Sequence, residues 1–177
     1  MNSRDLKPFV PVNIAILTIS DTRTKEDDKS GKVLADRASS EGHKVVCREI
    51  IPDDLDLIRQ KLLELAERTD VDVVITTGGT GLTGRDVSVE AHKSIYEKEI
   101  SGFSALFMML SYNKIGASAI QSRACGGVYA GTYYFAIPGS PNACKDAWDG
   151  ILKSQLDLRN LPCNLVEIMP RLEEHRT

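Results

Sequence analysis

Short apolar runs rich in β-branched residues alternate along this chain with stretches of helical periodicity, and each run stops at a polar or glycine-rich segment. Val12 to Ile19 reads as a buried strand that ends at Ser20-Asp21-Thr22. A helix is expected from Lys32, with Val33, Leu34 and Ala38 on one face and Gly42 as its left-handed stop. Val45 to Ile51 is a second strand, closed by Pro52-Asp53-Asp54; Leu55, Ile58, Leu62 and Leu65 then recur at helical spacing through Arg68. Val71 to Thr76 is a third strand and runs directly into Thr77-Gly78-Gly79-Thr80-Gly81. Helical patterns follow from about Val89 and from Phe103 to Tyr112. Val128 to Ile137, with Ala130-Gly131 in the middle, reads as a hairpin or as two short strands. A last helix starts near Asn142 and carries Ala143, Ala147, Trp148, Ile151 and Leu152 inward. Strands alternating with helices predict an α/β fold with a mostly parallel sheet covered on both faces.

A length of 177 residues suits one domain. It is expected over residues 12–165, with an N-terminal extension over 1–11 and a C-terminal tail over 166–177. The 22 basic against 25 acidic residues leave a net charge of −3, which argues against a nucleic-acid binder. It does not exclude a small anion, because backbone N–H groups can hold one without net positive charge. Residues 1–12 are interrupted by Pro8 and Pro11, lack a long apolar core and do not resemble a targeting signal; the best apolar run, Ile14 to Ile19, is too short to span a bilayer. No membrane partner is expected. Cys47, Cys125, Cys144 and Cys163 contain no C-x-x-C pair, so reduced structural thiols and a cytoplasmic location are expected.

The chemistry is expected where the strands stop. Ser20-Asp21-Thr22, Pro52-Asp53-Asp54, Thr77 to Gly81 and Pro138 to Asn142 each follow a strand, and in a parallel sheet such ends share one edge, where ligands bind. Gly79 to Gly84 fits G-x-G-x-x-G, but it follows the third strand rather than the first and meets Arg85-Asp86 instead of entering a helix. It also lacks the Lys-Ser/Thr of a Walker A loop. Its glycines still allow bare N–H groups to approach an anion. Asp53 and Asp86 both follow strand ends. Two carboxylates beside a phosphate site suit Mg²⁺; alternatively Asp53 caps the next helix, a role open to Asp54, and Asp86 caps a helix or pairs with Arg85. Pro138-Gly139-Ser140-Pro141-Asn142 is a strand–turn–helix entry, and Ser122-Arg123 could grip a phosphate. Phe103, Phe107, Met108, Met109 and Tyr112 read as core or subunit contact, and Tyr129, Tyr133 and Tyr134 as strand packing. Gly-x-Ser-x-Gly is absent, which argues against covalent hydrolase chemistry.

These residues resemble the MoaB/Mog family of molybdopterin-handling proteins, which includes the G domain of gephyrin. The resemblance runs from Val12 to about Cys163. It rests on Ile16 to Asp21, Asp28-Lys29-Ser30-Gly31, Ile51-Pro52-Asp53, Thr76 to Gly81, Arg85-Asp86-Val87, Gly102-Phe103, Ser122-Arg123 and Pro138-Gly139. Met109-Leu110-Ser111, Ile115-Gly116 and Leu161 to Asn164 are closer to the MoaB branch. Val89 departs from the proline that many relatives carry, with Glu90 and Ala91 kept. The resemblance implies a three-layer α/β/α domain in a homo-oligomer, a trimer or a hexamer. It implies Mg²⁺-ATP-dependent adenylylation of the terminal phosphate of molybdopterin, with release of pyrophosphate. Asp53 and Asp86 match the family's two essential acidic positions and are expected to be catalytic and to coordinate Mg²⁺. Ser20, Asp21, Asp28, Ser30, Gly78, Gly79, Thr80, Gly81, Glu90, Ser122, Pro138, Gly139, Ser140 and Asn142 are carried over as ligand-binding positions. The alternative is a member of the MoaB branch that binds molybdopterin without turning it over.

Overall fold

The computed structural model describes residues 7–176. Strand β1 (Asn13–Ile19) leads to α1 (Lys29–Ser40), β2 (Lys44–Ile51) to α2 (Leu55–Ala66), and β3 (Val73–Thr77) to α3 (Ser88–Lys93). A two-residue strand β4 (Lys98–Glu99), helix α4 (Ser101–Ile115) and a 3-10 turn (Gly116–Gln121) precede the hairpin β5 (Cys125–Tyr129) and β6 (Thr132–Ile137). Helix α5 (Pro141–Ala147) continues through a wide π turn (Trp148–Leu152) into α6 (Lys153–Gln155), and α7 (Leu165–Ile168) follows.

The six strands lie in the order β2-β1-β3-β6-β5-β4. β1, β2, β3 and β6 run parallel, and β5 is antiparallel to both its neighbours. Side chains alternate across the sheet as the pleat requires. Ile14, Ile16, Val73, Ile75, Tyr133 and Phe135 pack with Leu34 and Ala38 of α1, Phe103 and Phe107 of α4, and Cys144 and Ala147 of α5. Ala15, Leu17, Ile19, Val74 and Tyr134 pack with Ile58, Leu62 and Leu65 of α2 and Ala91 of α3. The sheet is therefore sandwiched between two helical layers. Both buried tyrosines satisfy their hydroxyls by donating to helix carbonyls, Tyr134 to Leu62 (3.2 Å) and Tyr133 to Leu165 (2.9 Å).

Several boundaries differ from the sequence expectations. Helix α1 starts at Lys29 rather than Lys32, because Asp28 caps it by accepting from the Gly31 N–H at 2.9 Å. Gly31 is helical: a Cβ there would overlap the Asp28 carboxylate and lie 2.6 Å from Thr18 Oγ1. Residues 128–137 form the second part of a hairpin that begins at Cys125, turning at Ala130 (φ 47°) and Gly131 (φ 76°). β4 has no apolar pattern to announce it; it forms because Lys98 and Glu99 pair with Val128 and Gly127. The packed domain continues past residue 165, since Val166 belongs to the core and Leu172 packs against it. At the other end, residues 1–6 of the expected extension lie outside the described residues, while Phe9 rests beside His43 and under Arg159. All four cysteines are free thiols. Among the described residues no helix is long and apolar enough to cross a membrane.

Candidate active site

The four parallel strands deliver Ser20-Asp21, Pro52-Asp53, Gly78 to Gly81 and Pro138 to Asn142 to the same edge of the sheet. Backbone and side-chain bonds join these loops. The Ser20 N–H donates to Ile51 O (2.9 Å), and the Asp53 N–H donates to Asp21 Oδ1 (3.0 Å). Gly78 N–H donates to Ile137 O (3.0 Å), and a Cβ on Gly139 would lie 3.0 Å from Gly78 Cα. The β3 and β6 loops thus touch through two glycines.

Helix α2 is capped by Asp54, whose Oδ1 accepts from the Asp56 and Leu57 N–H groups at 3.0 Å. This leaves Asp53 out of the cap. Its Oδ1 is buried without a hydrogen-bond partner. Burial raises the Asp53 pKa, and the nearby negative charges of Asp86 and Asp21 push the same way, against the Val87 N–H. Asp86 behaves oppositely. Neither alternative for it applies: it does not cap α3, and Arg85 reaches across to Asp21 instead. Asp86 Oδ2 accepts from Thr83 Oγ1 (2.7 Å) and Thr83 N–H (2.9 Å), which hold its pKa below the usual carboxylate range.

The glycine loop runs between these two carboxylates. Gly78 and Gly79 have φ of 111° and 62°, left-handed conformations that side chains rarely adopt. A Cβ on Gly79 would lie 2.7 Å from Asp53 Oδ1, and one on Gly81 would lie 2.7 Å from Asp86 Oδ2. Only bare backbone fits in the gap. The loop's carbonyls are turned away into the protein: Gly78 O accepts from Ser88 Oγ (2.7 Å), Gly79 O from Ser88 N–H (2.9 Å), and Thr80 O and Gly81 O from Arg123 Nε (2.9 and 3.0 Å). Gly78 N–H is taken by Ile137 O and Gly81 N–H is directed at the Asp86 carboxylate, so the N–H groups left to face a ligand are those of Gly79 and Thr80, a short surface suited to anions.

Beside Gly139 opens a cleft of about 600 Å³, in the range of small-molecule sites, lined by Ser122, Pro138, Ser140 and Asn142. Ser111, Lys114 and Lys145 line it too; the sequence reading missed them, because nothing in their local pattern separates them from an ordinary helix surface. Ser140 also caps α5 by accepting from the Ala143 N–H at 3.1 Å. Other expected ligand positions are occupied by structural bonds. The fully buried Asp28 carboxylate accepts from Thr18 Oγ1 (3.0 Å) and Arg48 Nη2 (2.8 Å) besides capping α1. Ser30 is the exception, its hydroxyl buried in the same helix turn with no hydrogen-bond partner. Ser20 Oγ accepts from the Thr22 and Arg23 N–H groups. Asp21 is held below its usual pKa by Arg85, and Glu90 pairs with Arg123. Arg123 therefore grips the protein's own loop.

Fold and site together define an α/β protein whose parallel strands bring a glycine loop and two carboxylates of unlike environment to one edge, an arrangement suited to an anionic ligand. The sequence profile of the family described as "Probable molybdopterin binding domain" matches residues 15–158. The chain is 46% identical over 156 residues to the molybdenum cofactor biosynthesis protein B of Escherichia coli K12, covering 88% of this chain and 92% of that one. It is 42% identical over 143 residues to the probable molybdopterin adenylyltransferase of Methanocaldococcus jannaschii, covering 77% and 85%. A crystal structure of a molybdenum cofactor biosynthesis protein B superposes with a TM-score of 0.85 at 42% identity, over 97% of this chain and 100% of that one. The chain belongs to this family, the MoaB/Mog proteins of molybdenum cofactor biosynthesis.

Proposed function

We propose that this protein adenylylates molybdopterin in molybdenum cofactor biosynthesis. An oxygen of the pterin's terminal phosphate attacks the α-phosphorus of ATP, the bond from that phosphorus to the bridging oxygen breaks, and pyrophosphate leaves. The observation that carries this reading is the pairing of Asp53 and Asp86 across a glycine loop that admits no side chain. The glycine loop, with its carbonyls tied back, receives the phosphates on the N–H groups of Gly79 and Thr80. The adjoining cleft at Ser122, Pro138, Ser140 and Asn142 accommodates the pterin; Lys145 stands at its wall, and Lys114 is paired there with Asp146. No protein nucleophile is required, because alignment and charge neutralisation supply the acceleration in transfers of this kind.

The residues fit a Mg²⁺ ion delivered with ATP. Asp53 has a buried, unpartnered carboxylate oxygen, the hard donor that such an ion takes. Asp53 and Asp86 are the carboxylates that would hold the ion, with phosphate oxygens and water completing its shell. When bound, Mg²⁺ would neutralise charge developing on the phosphates. The chain's own part is to hold Asp53 and Asp86 fixed on opposite sides of the loop.

Helix α4 turns Leu106, Met109, Tyr112 and Ile115 outward, and Ile120 of the 3-10 turn extends the same apolar surface. This face supports a homo-oligomer, a trimer or a dimer of trimers. The free thiols suit a reducing cytoplasm.

Pyrophosphate release from Mg²⁺-ATP, measured with and without molybdopterin for wild type and Asp53→Asn, tests the reaction. Molybdopterin-dependent release that Asp53→Asn loses is expected. Tight molybdopterin binding with no release from the wild type would make the protein a pterin binder without turnover.

A further inference from the structure

The side chain of Arg123 has no role in the chemistry just described, yet its guanidinium donates to three carbonyls and one carboxylate around the site. It is two residues before β5, so its backbone is anchored to the sheet. Its Nε is shared between Thr80 O and Gly81 O at 2.9 and 3.0 Å, and its Nη2 donates to Asp86 O at 3.2 Å. Glu90 closes the other side of the guanidinium, Oε2 accepting from Nη2 at 3.1 Å and Oε1 from Nη1. One rigid fork therefore ties down two carbonyls of the glycine loop and the carbonyl of the second essential carboxylate, with a carboxylate behind it to fix its plane.

We infer that Arg123, backed by Glu90, is a positioning residue that holds the glycine loop and Asp86 in register with Asp53. The role rests on the adenylyltransferase reading, but its structural half does not. The loop is short of other restraints on this side: Ser88 secures only Gly78 O and Gly79 O. Without Arg123, the stretch from Thr80 to Asp86 keeps its internal Thr83–Asp86 bonds and the exposed Arg85–Asp21 ion pair, neither of which ties the Thr80 and Gly81 carbonyls. Lysine cannot substitute, because a single ammonium cannot span Thr80, Gly81, Asp86 and Glu90 in one plane. Nor is Arg123 a phosphate-gripping residue, since its donors are already directed at carbonyls and at Glu90. Glu90 acts through Arg123 and does not itself touch ligand.

Hydrogen exchange of the full-length protein, followed by mass spectrometry, is compared for wild type, Glu90→Gln and Arg123→Lys. Peptides covering residues 78–86 are expected to exchange about tenfold faster in both variants, with β3 and β5 unchanged. In turnover assays kcat for pyrophosphate release is expected to fall by about 10–100-fold, with KM for Mg²⁺-ATP moving much less. Unchanged exchange over 78–86 in both variants would overturn the inference. So would faster exchange spread equally over β5 and α3, which marks a general loss of stability. A tighter KM with kcat kept in Glu90→Gln would overturn it in a different way, showing that a freed Arg123 grips phosphate. Glu90→Gln is close to isosteric and carries the test if Arg123→Lys fails to fold. A wild type that releases no pyrophosphate would remove the adenylyltransferase reading, and the exchange comparison would still decide the clamp.

Discussion

Gly79→Ala is the sharpest perturbation of the site, and Gly84→Ala is its control. At position 79 the backbone has φ 62°, where an alanine costs about 1–2 kcal/mol relative to glycine. The added Cβ would overlap Ser88 Oγ and lie 2.7 and 2.9 Å from the two Asp53 carboxylate oxygens. Ser88 is fully buried and its hydroxyl donates to Gly78 O at 2.7 Å, so it can yield only by breaking that bond. A buried polar group left unpaired costs about 1–3 kcal/mol. The sum is about 2–5 kcal/mol, against a typical domain stability of about 5–15 kcal/mol. The variant therefore folds, with a Tm lowered by roughly 4–20 °C for a chain of this size. Because Asp53 is pushed from its place, turnover falls by at least about tenfold as well. A Cβ at Gly84, in the same loop, meets nothing within 4 Å, and its substitution shifts Tm by no more than about 2 °C. Thermal unfolding by circular dichroism at matched protein concentration, with pyrophosphate release on the same samples, makes the comparison. Equal Tm and equal turnover for the two variants would refute the close fit of loop and carboxylate.

Four further outcomes follow from the same geometry. Asp86→Asn keeps the fold, with wild-type circular dichroism, and loses pyrophosphate release; an unfolded protein or an unchanged rate would sink this. Asp53 has a raised pKa in the folded state, so the folded chain favours its protonated form, and the penalty appears as pH rises through that pKa. Asp53→Asn is accordingly at least as stable to urea as wild type at pH 7, an advantage that disappears below the ordinary carboxylate pKa; a variant clearly less stable at pH 7 contradicts the sign. Asp28→Ala strips the cap from α1 and leaves Arg48 unpaired, lowering stability by about 2–5 kcal/mol by urea unfolding; if Asp28 is a ligand group instead, stability is kept and only binding falls. Tyr112→Glu, which puts a charge on the exposed face of α4, lowers the sedimentation mass to that of a smaller species, and an unaltered mass places the assembly surface elsewhere.

Much of the fold was legible because the sheet is buried on both faces. Residues 14–19 and 73–77 are nearly continuous apolar runs, and the helices between them show one apolar stripe each. The same pattern pointed to the candidate site, since every strand of the parallel set had to stop at a polar segment on one edge. The glycine string and the two aspartates could be found there, and Asp54 could be seen as a rival cap. Charged strand β4 was invisible because its pairing with Val128 and Gly127 leaves no mark in its own composition. The start of α1 was misplaced because Gly31 reads as a helix breaker, whereas it serves a close approach to Asp28 and Thr18.

The partnerships of the charged residues belong to another level. Local periodicity records which face of an element is buried, and this suffices for the layers, the strand ends and the position of Asp53 and Asp86. It says nothing about which residue from another element will stand opposite a given charge. Arg123 meets a loop more than forty residues away in the chain, and Arg48 meets Asp28 across two strands. Those pairings depend on strand order and loop packing, so the sequence offered Ser122-Arg123 as a phosphate grip, and the family resemblance carried Asp28 and Glu90 over as ligand-binding positions. Tertiary structure turned Asp28 into the interior and set Arg123 and Glu90 behind the glycine loop. It left Asp53 with a buried oxygen and no partner, because only the closing of four loops over one edge removes water from it without supplying a donor.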